Sequence, residues 1–146
     1  MRTFENWSRL HRSAPREWAS PNDENELRRV IRSAASEGRR VKVVGGCHSW
    51  SDIAVPDDLA VDLAHMRGVV GIDRDAPSVT ARGGTRLEEI TEALDAHGLA
   101  MPILGSIAKQ TVAGAIATGT HGSSLVHGNL SSLVTSMRLM TAGGDV

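Results

Sequence analysis

At 146 residues, with 40% hydrophobic and 23% charged residues, the chain is long enough for one domain with a hydrophobic core and has the composition of a soluble protein. Its formal charge of −1, from 16 Lys and Arg against 17 Asp and Glu, excludes a general attraction to nucleic acid or to an anionic membrane. A single cysteine excludes an internal disulfide framework and fits a reducing compartment. The first residues, Met1 to Trp7, lack the apolar stretch of a signal peptide, and no run reaches membrane-spanning length, so a cytoplasmic location is expected.

Residues 3–20 read as an irregular lead-in, with Trp7 and Trp18 as packing anchors. Ser20 to Asp23 opens a helix whose stripe is Leu27, Val30, Ile31, Ala34 and Ala35, and Gly38 closes it. Val41 to Val44 is a short buried strand that runs into Gly45 and Gly46. Helix, strand and glycine loop come here in the reverse of the Rossmann order, in which the loop opens the helix. Leu59 to Leu63 alternates like a half-buried strand, and Val69 to Ile72 and Ser78 to Ala81 pair as a hairpin. Thr85 to Glu88 has the pattern of a capping box before a helix carrying Leu87, Ile90, Ala93 and Leu94, which Gly98 ends. Pro102 to Ser106 is extended, and Thr111 to Thr118 is rich in small residues. Leu133 to Thr141 alternates as a strand, and Ala142 to Asp145 is a turn into a returning arm that begins at Val146. A hairpin cut there leaves an open edge, so a fragment of a longer protein is expected.

Two stretches carry the chemistry. In Val43-Val44-Gly45-Gly46-Cys47-His48-Ser49-Trp50-Ser51-Asp52, a strand ends in glycines and small residues, so backbone N–H groups can converge on a phosphate. His48 directly after them would stand beside whatever the phosphates carry. In Ala113 to Ser124 nearly every side chain is small, so a planar ligand could lie against the backbone. Thr118, Thr120 and Ser123 offer hydroxyls there. A glycine cluster taken alone is more often turn punctuation, and the small-residue run alone could be a tightly packed helix end. Two such clusters, each with a histidine, favour a ligand.

Gly46-Cys47-His48-Ser49-Trp50-Ser51-Asp52-Ile53-Ala54 resembles the Gly-x-His-Ser-x-Ser-Asp-Ile-Ala signature of FAD-linked oxidases of the vanillyl-alcohol oxidase superfamily. Within it the aldonolactone and alditol oxidase branch is the most similar. Thr118-Gly119-Thr120-His121-Gly122-Ser123 resembles that branch's second FAD motif, and His97-Gly98-Leu99-Ala100 continues the likeness, which runs from about Trp18 to Val146. Reductases of the same superfamily lack the His-Ser-x-Ser-Asp run.

The resemblance implies an α+β fold: a two-lobed FAD-binding domain of the PCMH type, cut short at its C-terminal end. Residues 1–16 would be a lead-in, 17–66 a parallel-stranded lobe and 67–146 an incomplete second lobe richer in antiparallel strands. On that reading Val44, Gly45, Gly46, Cys47, His48 and Ser49 wrap the pyrophosphate. Gly105, Ser106, Thr111, Gly114, Thr118, Gly119, Thr120, His121 and Ser123 line the rest of the FAD. The resemblance makes His48 the covalent attachment point of the flavin, through a neutral imidazole. A histidine that only hydrogen-bonds nearby is the alternative. Cys47 stands where the family commonly has Gly or Arg and reads as a small loop residue. Glycine at 105 goes with oxygen access in the resembling branch. His11, His65, His97 and His127 have no metal-ligand spacing, and Cys47-His48 alone supplies too few ligands, so no metal is expected.

The function implied is oxidation of the CH–OH carbon of a sugar-derived lactone or polyol by hydride transfer to flavin, with O2 or another acceptor. The substrate domain and the catalytic base would lie C-terminal to this chain, which alone would be inactive. A flavin-binding module without catalysis is the rival reading.

Overall fold

The computed structural model describes residues 2–146. The chain forms two compact units. The first runs to His65 and takes in Met137–Val146; the second is Met66–Ser136.

The first unit is built on a three-stranded parallel sheet. Strands β1 (Phe4–Glu5) and β2 (Arg12–Ser13) form a small antiparallel hairpin ahead of it, and β3 (Glu17–Ala19), β4 (Val41–Val44) and β5 (Leu59–Asp62) make the sheet in the order β3-β5-β4. Val41 faces Leu59 and Val43 faces Val61 in register, while Trp18 faces Ala60. β5 is therefore central. Leu59, Ala60 and Val61 are all buried, not alternately so as the sequence pattern predicts, because a parallel central strand is covered on both faces.

Helix α1 (Glu24–Ser36) is set by its own ends. The Asp23 carboxylate accepts the Glu26 N–H at 2.7 Å, Glu24 and Glu26 lie at the positive end of the helix dipole, and Gly38 at φ +64° stops it. Such a cap contributes about 0.5–2 kcal/mol. Leu27, Val30 and Ala34 then pack against Leu59 and Val61. The lead-in is more ordered than its sequence predicts, since it holds β1, β2 and β3. Trp7 is 42% exposed and is no core anchor; its ring meets Trp50 edge-on.

In the second unit, β6 (Val69–Asp73) and β7 (Ser78–Ala81) form an antiparallel hairpin. Asp73 closes its turn by accepting the N–H groups of Asp75 and Ala76. Helix α2 (Leu87–Asp95) begins one residue later than the capping-box pattern predicts. Arg86 is the N-cap, and the Glu89 carboxylate accepts its N–H at 2.9 Å. Thr85 is fully buried instead; its hydroxyl donates to Arg82 O and accepts from Gly68 N, which holds the turn before the helix. Leu87, Ile90, Leu94, Ile103, Ala115 and Leu130 form the core. Helix α3 (Val112–Ala117) and a 3-10 turn at Leu130–Leu133 complete the unit.

The strand expected over Leu133 to Thr141 is not formed. Among the described residues no strand lies beside it to supply ladder hydrogen bonds, and Met137 and Leu139 stay exposed. Arg138 within it pairs with Glu24, and beyond its end Arg28 Nε donates to Gly144 O. No helix of the described residues is long and apolar enough to cross a membrane.

Two measurements check these assignments. Ile90→Ala removes a side chain that is 2% exposed, and chemical denaturation of the full-length protein should show a loss of about 2–5 kcal/mol in the transition of this domain. The Asp58 carboxyl is held below its ordinary value of 3.8, chiefly by hydrogen bonds from Arg39. A depressed carboxylate adds stability above its unfolded pKa, and that stability is lost as pH falls through the lower folded value. Asp58→Asn should therefore lower the urea midpoint at pH 7, with the gap to wild type closing as pH falls below 3.8.

Candidate functional site

The first motif lies at the carboxyl end of β4, the edge of a parallel sheet where ligands of open α/β sheets bind. Val44 is buried and anchors the loop, and Gly45 is exposed just beyond it. Cys47 has φ +57°, in the left-handed region that non-glycine residues seldom occupy. Such a residue turns the chain sharply, and strain of this kind collects at ligand-holding loops. His48 comes next, half-buried, with its Nδ1 shielded from solvent and its ring 6.0 Å from the Trp7 ring at an interplanar angle of 22°. Trp50 and Ile53, 65% and 56% exposed, leave an apolar rim by the loop.

The second motif lies within the other unit, where the chain doubles back on itself. A methyl group added at Gly122 would come 2.5 Å from Leu104 O, and one at Gly105 would come 3.0 Å from Thr120 Cγ2. Segments 103–105 and 120–122 therefore touch through backbone, which only glycine permits at 122. Thr120 is fixed on three sides. Its N–H donates to Ala115 O, its carbonyl accepts from Leu130 N, and its hydroxyl accepts from Gln110 Nε2 at 2.9 Å. His121 pairs with Asn129 in an isolated bridge, and its Nδ1 lies 2.9 Å from Gly122 O.

Within α3, Thr111 caps the start by accepting Gly114 N–H, and the Thr118 hydroxyl donates back to Gly114 O. Ala115 points into the core, whereas Ala113, Gly114, Ala117 and Thr118 are exposed. One face of the helix is thus a shallow surface of small residues. The Thr111 and Thr118 side chains brace this helix, so their hydroxyls are already engaged within it. Ser106, Ser123 and Gly119 stand at the surface or near it, with Gly119 at φ +62°.

Three residues not assigned to the cofactor from sequence take part, one of them inside the second motif. Gly122 permits the backbone approach, Gln110 fixes Thr120, and Asn6 reaches the first loop, where its Nδ2 donates to Ser49 O. The Gly119-Thr120-His121-Gly122 run could have marked Gly122; nothing local marks Gln110 or Asn6. Among the described residues, no group of three or more His, Cys, Asp or Glu is placed to hold a metal ion. A concavity of about 590 Å3 opens beside β4, but Arg40, Lys42, Asp52 and Asp57 line it, with no net charge to select an anion.

Residues 15–146 match the family of the FAD binding domain. The chain belongs to that family. It is 37% identical over 143 residues to L-gulonolactone oxidase of Bos taurus, covering 98% of this chain and 32% of that protein. It is equally 37% identical, over 147 residues, to D-arabinono-1,4-lactone oxidase of Eremothecium gossypii, covering 98% of this chain and 28% of the other. The L-gulono-1,4-lactone dehydrogenase of Mycobacterium tuberculosis is 37% identical over 143 residues, with 98% and 33% covered. The chain thus spans about a third of the length of the curated relatives it matches. The fold is that of cholesterol oxidase from B. sterolicum, with a TM-score of 0.75 at 23% identity over 83% of this chain and 24% of that one.

Each motif by itself has a feature that suits one part of a dinucleotide. A turned glycine loop at a strand end suits a pyrophosphate, and a small-residue face suits a flat ring system. The FAD-binding domain as a class therefore agrees with both motifs. Gly122→Ala should force segments 103–105 and 120–122 apart. Overpacking of this kind costs about 1–3 kcal/mol, read as a lower melting temperature together with weaker FAD retention on gel filtration.

Proposed function

We propose that this FAD-binding domain serves an oxidoreductase that oxidises the CH–OH carbon of a sugar-derived lactone or polyol. The reading is supported by relatives named for lactone oxidation that align with 98% of the chain, across both motif stretches. FAD supplies the acceptor for a hydride leaving the carbinol carbon. In this reading Gly45 to Ser49 would hold the pyrophosphate by backbone N–H groups, and the exposed face of α3 is a separate surface suited to a flat ring.

His48 is the covalent attachment point in this reading. The observation that carries it is the loop geometry, with the imidazole placed directly after the left-handed Cys47 and against Trp7. His48 would offer the lone pair of its unprotonated ring nitrogen to the flavin 8α carbon and release the proton of its other nitrogen, and O2 would take up the electron pair and two protons that this oxidation sets free. A neutral imidazole is required, since a protonated ring has no lone pair to offer.

Gly105 favours O2 as the acceptor of the catalytic cycle. A methyl group there would stand 3.0 Å from Thr120 Cγ2 and fill space beside the second motif. Relatives named oxidase and dehydrogenase are equally similar to the chain, so overall similarity favours neither acceptor.

Intact mass after acid denaturation of the full-length gene product, supplied with FAD, tests this function. A gain of one FAD, abolished in His48→Ala, is the expected result. An unmodified chain that releases yellow FAD would leave the cofactor and remove the covalent role. Full-length protein that takes up no flavin would overturn the enzyme reading in favour of a remnant without cofactor.

A further inference from the structure

The residues ahead of the sheet, which the sequence leaves outside the domain, are hydrogen-bonded to the loop that carries His48. The hairpin of β1 and β2 is itself well fixed. Phe4 is 2% exposed, the Asn6 N–H donates to His11 O, and the Arg9 N–H donates to Asn6 O in a turn with Arg9 at φ +60°. Asn6 is 3% exposed, a polar side chain buried in a short hairpin. Its Oδ1 accepts the His11 N–H at 3.1 Å, and its Nδ2 donates to Ser49 O at 3.0 Å. Both ends of the amide are thereby used, one to close the hairpin and one to grip the loop.

Two neighbours grip the same loop. The Trp7 N–H donates to Cys47 O at 3.0 Å, and His11 Nε2 lies 3.0 Å from Trp50 O, a contact in which the ring nitrogen must be the donor. The carbonyls of residues 47, 49 and 50, on both sides of His48, are all turned toward the hairpin. In a trans peptide the C=O and the following N–H point in opposite directions, and no peptide here is cis. The N–H groups of His48, Trp50 and Ser51 are therefore directed away from the hairpin, as donors for an anion must be.

We infer that the hairpin of residues 4–13 is a brace that orients the His48 loop toward FAD, with Asn6 as its positioning residue. The inference rests on the FAD reading above. The sheet makes a brace necessary. β4 is an edge strand, so the loop leaving it has a neighbouring strand on one side only, and the left-handed Cys47 must be held in place by other contacts.

The test compares full-length wild type with Asn6→Ala, His11→Ala and His11→Gln by two readouts. Hydrogen exchange of the amides at residues 47–51 reports the loop itself. Intact mass after acid denaturation, at a fixed time after FAD addition, reports attachment. Loss of one buried hydrogen-bonding side chain should speed loop exchange about tenfold in Asn6→Ala and lower the FAD-bearing fraction, with circular dichroism unchanged. His11→Ala should show a smaller effect in the same direction, about threefold, and His11→Gln, which keeps a donor, should recover it.

Folded Asn6→Ala with wild-type loop exchange would overturn the brace. If Asn6→Ala does not fold, the His11 pair decides, and wild-type exchange in His11→Ala is the overturning result. If wild type carries no covalent FAD, the attachment assigned to His48 fails separately, and loop exchange alone judges the brace.

Discussion

The pairing of Val41–Val44 with Leu59–Asp62 is the contact on which the rest of the first unit depends. A parallel strand with residues at 0% exposure needs cover on both faces, and α1 supplies one of them through Leu27, Val30 and Ala34. The same pairing fixes where β4 ends, and so where Gly45 to Ser49 leave the sheet. Because β4 is at the edge, the loop it feeds is supported from one side only. Hydrogen bonds from Asn6, Trp7 and His11 provide the other side.

The two motif stretches reach their shapes by different physics. In the first, carbonyls are bound to a neighbouring hairpin, and the loop is held by directional contacts. In the second, side chains are removed so that segments pack closely, as at Gly122 against the Leu104 carbonyl and Gly105 against the Thr120 side chain. The first arrangement orients N–H groups, and the second leaves a smooth surface along α3. A charged pyrophosphate suits the first kind of surface, and a flat ring suits the second.

Membership of the FAD-binding family follows from the match over residues 15–146, and the fold agrees with a cholesterol oxidase at a TM-score of 0.75. The chain spans about a third of its relatives, so cofactor binding is the part of their chemistry that its own residues can account for. The left-handed Cys47 lies in the first motif and the close approach at Gly122 in the second, whereas Arg9, also left-handed, lies in the turn between β1 and β2.

The sequence by itself determined what depends on near neighbours. The Asp23 cap and Gly38 stop bound α1, and the Asp73 turn closes the hairpin of β6 and β7. Each is a matter of periodicity, φ angle or a hydrogen bond spanning a few residues. Only the tertiary structure decided the rest. It made β5 central, and hence buried on both faces where alternation predicts one. It moved the α2 cap from Thr85 to Arg86 by burying the Thr85 hydroxyl against Gly68, 17 residues away. It brought Asn6 to Ser49 across 43 residues of sequence. Such contacts leave no local pattern, because their partners are chosen by the packing of the sheet and not by the spacing of residues along the chain.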